Sequence, residues 1–241
     1  GSILERLEDI DLSVESLGDA ALADYDNFDV TDADANTERW NTGYLTGAEG
    51  GSANINTTTA GQLRVAVDPD ATPTAARYAV NLAQFVASKY FLVTTDVTAA
   101  FGTASASWAF VGMMVSPVTF DTNNRVYIQR QNSSGGALNR ITAGAFFGGV
   151  DQVEVNFTTT DATLGFKIER WDNVWRIFYS LTSSPDYSWT LLTQYEDASE
   201  NMDSQQSVYL DVSSPGTLDA ETALGDFDNF KLYIAQNGIS Q

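Results

Sequence analysis

The sequence contains no cysteine and no histidine. Without cysteine, disulfides, thiol nucleophiles and thiolate metal sites are excluded. Without histidine, the chain lacks the side chain that changes charge near neutral pH, so Ser-His-Asp triads and histidine general bases are excluded as well. Any catalysis by this chain must therefore rest on carboxylates.

Positive charge is scarce, because 12 Lys and Arg residues face 32 Asp and Glu residues, for a formal net charge of −20. An acidic surface of this kind repels phosphate backbones and anionic lipids, so we expect no nucleic-acid partner. The sequence also lacks an apolar run of membrane-spanning length, and we expect no membrane insertion. Hydrophobic residues still make up 43% of the 241 residues, enough for a substantial core.

The N-terminal segment has a heptad pattern. Its apolar residues recur at alternating steps of four and three, namely Ile3, Leu7, Ile10, Val14, Leu17 and Ala21. β-Branched residues at d positions favour three or four strands, so the pattern predicts a helix over residues 1–23 that assembles a homotrimer. The alternative is an amphipathic helix folded against its own domain.

From about Asp24 onward, short alternating runs separated by Gly, Asn, Asp, Ser and Pro replace the helical period, as is typical of an all-β domain. Candidate strands are "GQLRVAV", "YFLVTTDVTA", "SWAFVGMMVS", "NRVYIQRQ", "QVEVNFT", "TLGFKIERW", "VWRIFYSL", "SWTLLTQY", "SVYLDVS" and "FDNFKLYIA". No internal repeat indicates a propeller, so residues 24–241 are predicted to form one two-sheet sandwich. The stretch 74–88 fits either a helix or an irregular strand.

Three of the five tryptophans lie between Gly165 and Leu192. In "VWRIFYSL", Trp175 shares a face with Ile177, and alternation predicts that this face is buried. Trp189 is also expected to be structural, whereas Trp171, beside the "DN" turn, is expected in solvent.

The succession "WAFVGMMVSP", "NRVYIQRQ", "LGFKIERWDNVWRIFYSLTSSPDYSWTLL" and "ALGDFDNFKLYIA" resembles the concanavalin A-like lectin/glucanase superfamily. The opening "DYDNFDV…ERWNTG" is similar to the first strand of that family, with Phe28 and Trp40 in the usual places. The resemblance spans Asp24 to about Ala235 and implies a jelly-roll sandwich, with an aromatic residue in a concave groove if the binding site of that family is retained.

Glycoside hydrolases of that family carry a Glu-x-Asp-x-x-Glu strand, whose carboxylates share one face. This sequence has no such strand. In "DQVEVNF", alternation predicts that Asp151 and Glu154 lie on opposite faces, where they cannot flank one glycosidic bond. We therefore expect that the protein is not an enzyme.

A sugar-binding module needs aromatic faces for sugar rings and polar side chains for hydroxyls. The resemblance leads us to expect these among the aromatic residues and their polar neighbours: Trp108, Tyr127, Trp171, Trp175, Tyr179, Arg125, Gln129, Arg130 and Asn173.

The stretch "DVTDADANTE" places oxygen ligands at alternate positions, a spacing that suits calcium when the backbone curls into a loop. The candidate ligands are Asp32, Asp34, Asn36 and Glu38. Thr37 stands where an EF-hand loop has Gly, so an ordinary polar turn is the alternative. A second candidate places Asp226 or Asp228 beside Asp26.

A multimerising helix followed by a lectin-like sandwich resembles tail, fibre or capsid-decoration proteins of tailed bacteriophages. Such virion proteins assemble in a reducing cytoplasm, where disulfides are not expected. We expect a trimeric, non-catalytic virion appendage that contacts other virion proteins and binds a surface carbohydrate. The alternatives are a purely structural decoration protein, a binding module of a secreted bacterial protein, and a divergent glycoside hydrolase.

Overall fold

Antiparallel pairing assembles sixteen strands in the computed structural model. The structure describes residues 20–28, 40–46, 51–56, 59–67, 76–82, 86, 88–101, 109–132, 139–203, 205–214 and 223–235. Within these residues the strands are β1 (Ala20–Asp26), β2 (Trp40–Thr46), β3 (Gly51–Ile55), β4 (Leu63–Val67), β5 (Ala76–Leu82), β6 (Tyr90–Ala100), β7 (Ala109–Pro117), β8 (Arg125–Asn132), β9 (Asn139–Phe147), β10 (Val150–Asp151), β11 (Val155–Thr158), β12 (Thr163–Trp171), β13 (Val174–Ser180), β14 (Thr190–Glu196), β15 (Gln206–Ser214) and β16 (Ala223–Ala235).

The strands form two eight-stranded sheets. Sheet A has the order β14-β13-β12-β6-β16-β4-β3, and β1 also pairs with β16. Sheet B has the order β10-β9-β8-β7-β15-β5-β2, and β11 also pairs with β9. Neighbours in the sheets are often distant in sequence, which is the crossover pattern of a jelly roll. The predicted all-β, two-sheet sandwich is confirmed.

Alternate side chains of both sheets meet in one apolar core. On β6, Phe91, Val93 and Val97 point inward and are at most 1% exposed. The side of each sheet that is turned away from this core is its outer face, and the strand period of two places every second residue there.

The two ends of the domain lie side by side, because Asp26 of β1 is opposite Phe230 of β16. The Trp40 ring packs 5.7 Å from the Phe28 ring and 4.9 Å from the Phe230 ring. Its indole Nε1 donates a hydrogen bond to Asp26 Oδ2 at 2.9 Å. Aromatic packing and this partly buried hydrogen bond therefore join β2 of sheet B to β1 and β16 of sheet A.

Two expectations need correction or completion. The predicted N-terminal helix extended to residue 23, but β1 begins at Ala20, so the sandwich starts four residues before Asp24. The seam residues Ile3, Leu7, Ile10, Val14 and Leu17 lie outside the described residues. The stretch 74–88, for which the sequence allowed a helix or a strand, contains strand β5. This strand pairs with β2 on one side and β15 on the other, so tertiary pairing selects the strand over the helix. None of the described segments is a helix long and apolar enough to cross a membrane.

Candidate functional site

Strand β8 brings three of the predicted carbohydrate-binding residues to the outer face of sheet B. Val126 and Ile128 point into the core, so Arg125, Tyr127 and Gln129 alternate to the other side. The outer-face residues of β8 are largely shielded, and Tyr127 and Gln129 are only 9% and 5% exposed. The side chains on this part of the outer face are therefore packed together and are not fully solvated.

Tyr127 belongs to a second apolar cluster, separate from the core. The Tyr127 ring lies across Gly144 of β9, where a Cβ atom would fall only 2.6 Å from Tyr127 Cζ. This cluster forms a floor of aromatic and apolar side chains on the outer face of sheet B, hereafter the aromatic floor: Ala79, Met114, Tyr127, Tyr209, Phe120 and Phe146.

Arg125 covers one end of the aromatic floor. Its guanidinium carbon lies 4.5 Å from the Phe146 ring centroid and 5.7 Å from that of Tyr127. A planar guanidinium held on aromatic faces keeps its N–H groups at the ring edge, where they can donate to an incoming oxygen.

The Glu154 carboxylate contacts three polar side chains at the edge of this face. The Tyr127 hydroxyl donates to Glu154 Oε2 at 3.3 Å, and Asn156 Nδ2 donates to Oε1 at 3.3 Å. Arg140 Nη2 lies 3.7 Å from the same Oε1. Burial raises the pKa of the Tyr127 phenol, the charge of Glu154 raises it further, and Arg125 lowers it. The phenol thus remains a neutral donor at ordinary pH.

A second polar network lies next to the aromatic floor. Arg140 Nε donates to Gln131 Oε1 at 2.7 Å, and the buried Thr142 hydroxyl lies 2.9 Å from the same oxygen. The Thr142 hydroxyl also lies 2.8 Å from Asn156 Oδ1 and, having one proton, donates to one of the two oxygens at a time. These contacts fix the side chains around a central residue, Gln129.

Gln129 occupies the middle of this face, paired across the sheet with Gly112 on one side and Thr142 on the other. A Cβ at Gly112 would fall 2.6 Å from Gln129 Cγ, so the amide side chain lies over the glycine. A nearly buried amide of this kind is a ready contact for a ligand hydroxyl.

Carboxylates also lie on this face, and one expectation about them is wrong. Strand β11 begins only at Val155, so alternation does not hold between Asp151 and Glu154. Asp151 is opposite Phe146, and the charges of Asp151 and Glu154 both raise the pKa of the Tyr127 phenol. The two carboxylates therefore lie at the same edge of the outer face. Both are exposed. The buried Asp211 is opposite Gly112 on β7 and roughly 19 Å, four strand spacings, from β11.

The other predicted carbohydrate-binding residues lie elsewhere. Trp175 is fully buried, and both Trp175 and Tyr179 point into the apolar core between the sheets, so neither ring lies on an outer face. The core placement predicted for Trp175 is confirmed. Trp171 is half-buried on the outer face of sheet A, 5.0 Å from the Tyr90 ring, where the prediction had it in solvent. Asn173 lies in the β12–β13 turn, and its amide donates to Glu200 at 3.4 Å.

Arg130 is also away from this face, because it points inward from β8. It donates to the carbonyl oxygens of Asp161, Gln131 and Arg140 and is 3% exposed, which is a structural role. Trp108 lies outside the described residues.

The calcium candidates Asp32, Asp34, Asn36 and Glu38 also lie outside the described residues, and calcium there stays a prediction. In the second candidate, Arg64 already binds Asp226 with two contacts of 2.6 Å, and calcium between Asp228 and Asp26 stays a prediction. Among the described residues, no group of three or more acidic side chains could hold a metal ion.

Sequence reasoning missed the contribution of β9 and the segment after it. Arg140, Thr142 and Phe146 occupy alternate positions in "NRITAGAFF", but the Ala and Gly residues of this stretch weaken the hydrophobic alternation that identifies a strand. Tyr127 covering Gly144 explains why that small residue is required. An alternating polar and aromatic pattern with interposed Ala and Gly is the signal that could have found this strand.

Comparison with known proteins places the fold but not the family. No protein-family model matches the chain, and no curated protein matches its sequence. Among solved structures, SCLam, a non-specific endo-beta-1,3(4)-glucanase from family GH16, is similar over 90% of this chain and 92% of its own, with a TM-score of 0.63 and 12% identity. The endo-beta-1,3-glucanase from Pyrococcus furiosus matches over 91% and 96%, with a TM-score of 0.63 and 14% identity.

The GH43 BlXynB protein from Bacillus licheniformis is similar over 88% of this chain, with a TM-score of 0.60 and 17% identity. This chain spans 39% of the length of that protein. At these identities the likeness concerns the fold alone. The chain shares the two-sheet β-sandwich of these solved structures, which agrees with the jelly-roll fold implied by the sequence resemblance.

Proposed function

We propose that this protein is a non-catalytic carbohydrate-binding domain and that its binding surface is the outer face of sheet B. The observation that carries the proposal is the aromatic floor, beside which the Arg125 guanidinium and the Gln129 amide lie on the same face of the sheet. Sugar rings present C–H faces and hydroxyl edges, which fit an aromatic surface next to polar side chains.

The surrounding polar groups support binding without hydrolysis. Hydrolysis requires two carboxyl groups about 5 to 9.5 Å apart, one of them with a raised pKa. Along β8, the outer-face residues Arg125, Tyr127, Gln129 and Gln131 include no carboxylate. Asp211 is too far from Glu154 by strand spacing to form such a pair.

One observation favours a second candidate, a divergent glycoside hydrolase. Asp151 and Glu154 both act on the Tyr127 phenol, and the similar solved structures include endo-glucanases. Against it, both carboxylates are exposed, whereas a catalytic acid gains its raised pKa from burial. A hydrolysis assay of the unmodified protein, Glu154→Gln and Asp151→Asn separates the two functions. A hydrolase would release products that the two variants do not, whereas a non-catalytic binding domain releases no products in any of the three forms.

The direct test is calorimetric titration with a soluble β-1,3-glucan and a mixed-linkage β-1,3/1,4-glucan, the polymers suggested by the similar structures. We expect Tyr127→Ala and Gln129→Ala each to weaken binding about tenfold, or about 1.4 kcal/mol. Trp171→Ala is the matched control, because it removes an aromatic ring from the opposite sheet. Equal binding by all four proteins would contradict the site, and failure of both glucans to bind would contradict this ligand class.

The phage-like architecture inferred from sequence suggests a setting for this activity. In a virion appendage, such a domain would attach the particle to a surface that carries the glycan. Binding of purified particles to glucan-coated beads, competed by the free domain, is the corresponding measurement.

A further inference from the structure

An apolar strip crosses the outer face of sheet A, on the other side of the sandwich from the carbohydrate surface. Leu22 of β1 is opposite Tyr233 of β16, which is opposite Leu92 of β6. One row further along β6, Tyr90 is opposite Trp171, which is opposite Val174. Leu22 is 51% exposed and the other five side chains are half-buried.

A strip of apolar side chains across five strands is unusual for a solvated outer face, where alternation normally presents polar residues. The position of this strip next to the start of β1 indicates which segment of the chain covers it. The chain enters β1 at Ala20, opposite Ala235, which is the end of sheet A where the strip lies. The residues just before that point are the amphipathic segment 3–17.

We propose that the segment 3–17 of the same chain forms a helix that packs across this apolar strip. Five apolar residues of the segment recur every three or four positions and define one helical face: Ile3, Leu7, Ile10, Val14 and Leu17. Only Gly18 and Asp19 separate Leu17 from β1, so the helix must end within roughly 10 Å of Ala20. Gly18 suits the sharp turn that returns the chain to the sheet.

The dimensions of the segment and the strip agree. A helix from Ile3 to Leu17 is about 21 Å long, and the strip spans four strand spacings, about 19 Å. Residues seven apart on the helix are separated by about 10.5 Å, close to two strand spacings of about 9.6 Å. With Leu17 beside Leu22, this register places Ile10 over Leu92 and Ile3 over Val174.

This arrangement replaces the trimeric seam expected from the heptad pattern, since the same five residues cannot face both sheet A and partner helices. It is independent of the carbohydrate proposal, because it concerns the opposite sheet.

The absence of cysteine makes disulfide trapping a clean test. In the full chain, Ile10→Cys combined with Leu92→Cys should form a disulfide within one chain under mild oxidation, seen as faster migration on a non-reducing gel. The matched control combines Leu12→Cys with the same Leu92→Cys, because Leu12 lies on the opposite side of the helix. We expect at least fivefold less crosslinking in the control.

The outcomes are distinct. A disulfide within the chain for the Ile10 pair only, together with a monomeric mass by light scattering, supports the proposal. Disulfides between chains with a trimeric mass would show that a second copy covers the strip and would overturn it. Equal crosslinking of both pairs, or of neither in a protein that retains its thermal unfolding transition, would also overturn it.

Discussion

The Tyr127 side chain crosses the backbone of Gly144, so the candidate site depends on the absence of one methyl group on the neighbouring strand. A Cβ at residue 144 would fall 2.6 Å from Tyr127 Cζ, closer than any ordinary contact. Gly144 therefore positions the ring without touching a ligand itself.

Gly144→Ala should displace Tyr127, weaken glucan binding as much as Tyr127→Ala does, and lower the free energy of unfolding by about 1 to 3 kcal/mol through overpacking. Urea unfolding of a double-mutant cycle checks the cause. In a Tyr127→Ala background, Gly144→Ala should cost much less, because the clash is gone. An unchanged cost in that background would show that the glycine is needed for another reason.

The two tryptophans beside the β12–β13 turn should differ in their contribution to stability. Trp175 is fully buried and packs 5.8 Å from the Phe91 ring, whereas Trp171 is half-buried on the outer face. Trp175→Ala should lower the free energy of unfolding by about 3 to 5 kcal/mol, and Trp171→Ala by a clearly smaller amount. Similar losses in chemical denaturation would contradict this division between core and surface.

Lys167 and Glu169 form an ion pair on the outer face of sheet A, with side chains only 10% and 7% exposed and an Nζ to Oε1 distance of 2.7 Å. Lys167 Nζ also lies 3.9 Å from the Phe178 ring centroid. Lys167→Met should cost about 3 kcal/mol, because it leaves a buried carboxylate without its cation.

Adding Glu169→Gln to Lys167→Met should recover part of this loss, since an amide is less costly to bury than an unpaired charge. Thermal unfolding of the two single variants and the double variant measures the effect. A double variant less stable than Lys167→Met would show that Glu169 has a role apart from the pair.

Sequence patterns predicted the sandwich because strand alternation is a local property. "TLGFKIERW" is a strand over the same residues in the structure, and the turn after it is tight because Asp172 adopts a left-handed φ of 56°. Strand β5 was ambiguous, since its pairing with β2 and β15 depends on residues far away in the chain.

The site was only partly predictable for the same reason. Arg125, Tyr127 and Gln129 share a face by alternation along one strand, which the sequence displays. Phe146, Arg140 and Glu154 join them only through pairing of β8 with β9 and through the break before β11. Trp175 and Tyr179 were grouped with them by residue type, although both side chains point into the core between the sheets.

Acid should weaken the protein through the contacts around Lys89. Lys89 Nζ lies 2.8 Å from Asp203 and 3.5 Å from Glu200. The hydrogen bond from Lys89 lowers the pKa of Asp203, as do contacts with Glu200 and Arg170, against an opposing effect of burial. The same hydrogen bond raises the pKa of Lys89.

The direction of the pH effect follows from these shifts. A carboxyl whose pKa is lowered on folding stabilises the protein above its unfolded value, here 3.8, and this stabilisation is lost as the pH falls through the folded value. Lys89→Met should therefore reduce the free energy of unfolding near neutral pH, and its difference from the unmodified protein should shrink below about pH 3.8. Arg176→Met is the control, because it removes one positive charge whose Nε donates a hydrogen bond to the neutral Gln194 Oε1 at 3.1 Å. Urea unfolding from pH 2 to 7 measures both differences, and a Lys89→Met effect that stays constant across that range would refute the assignment to Asp203.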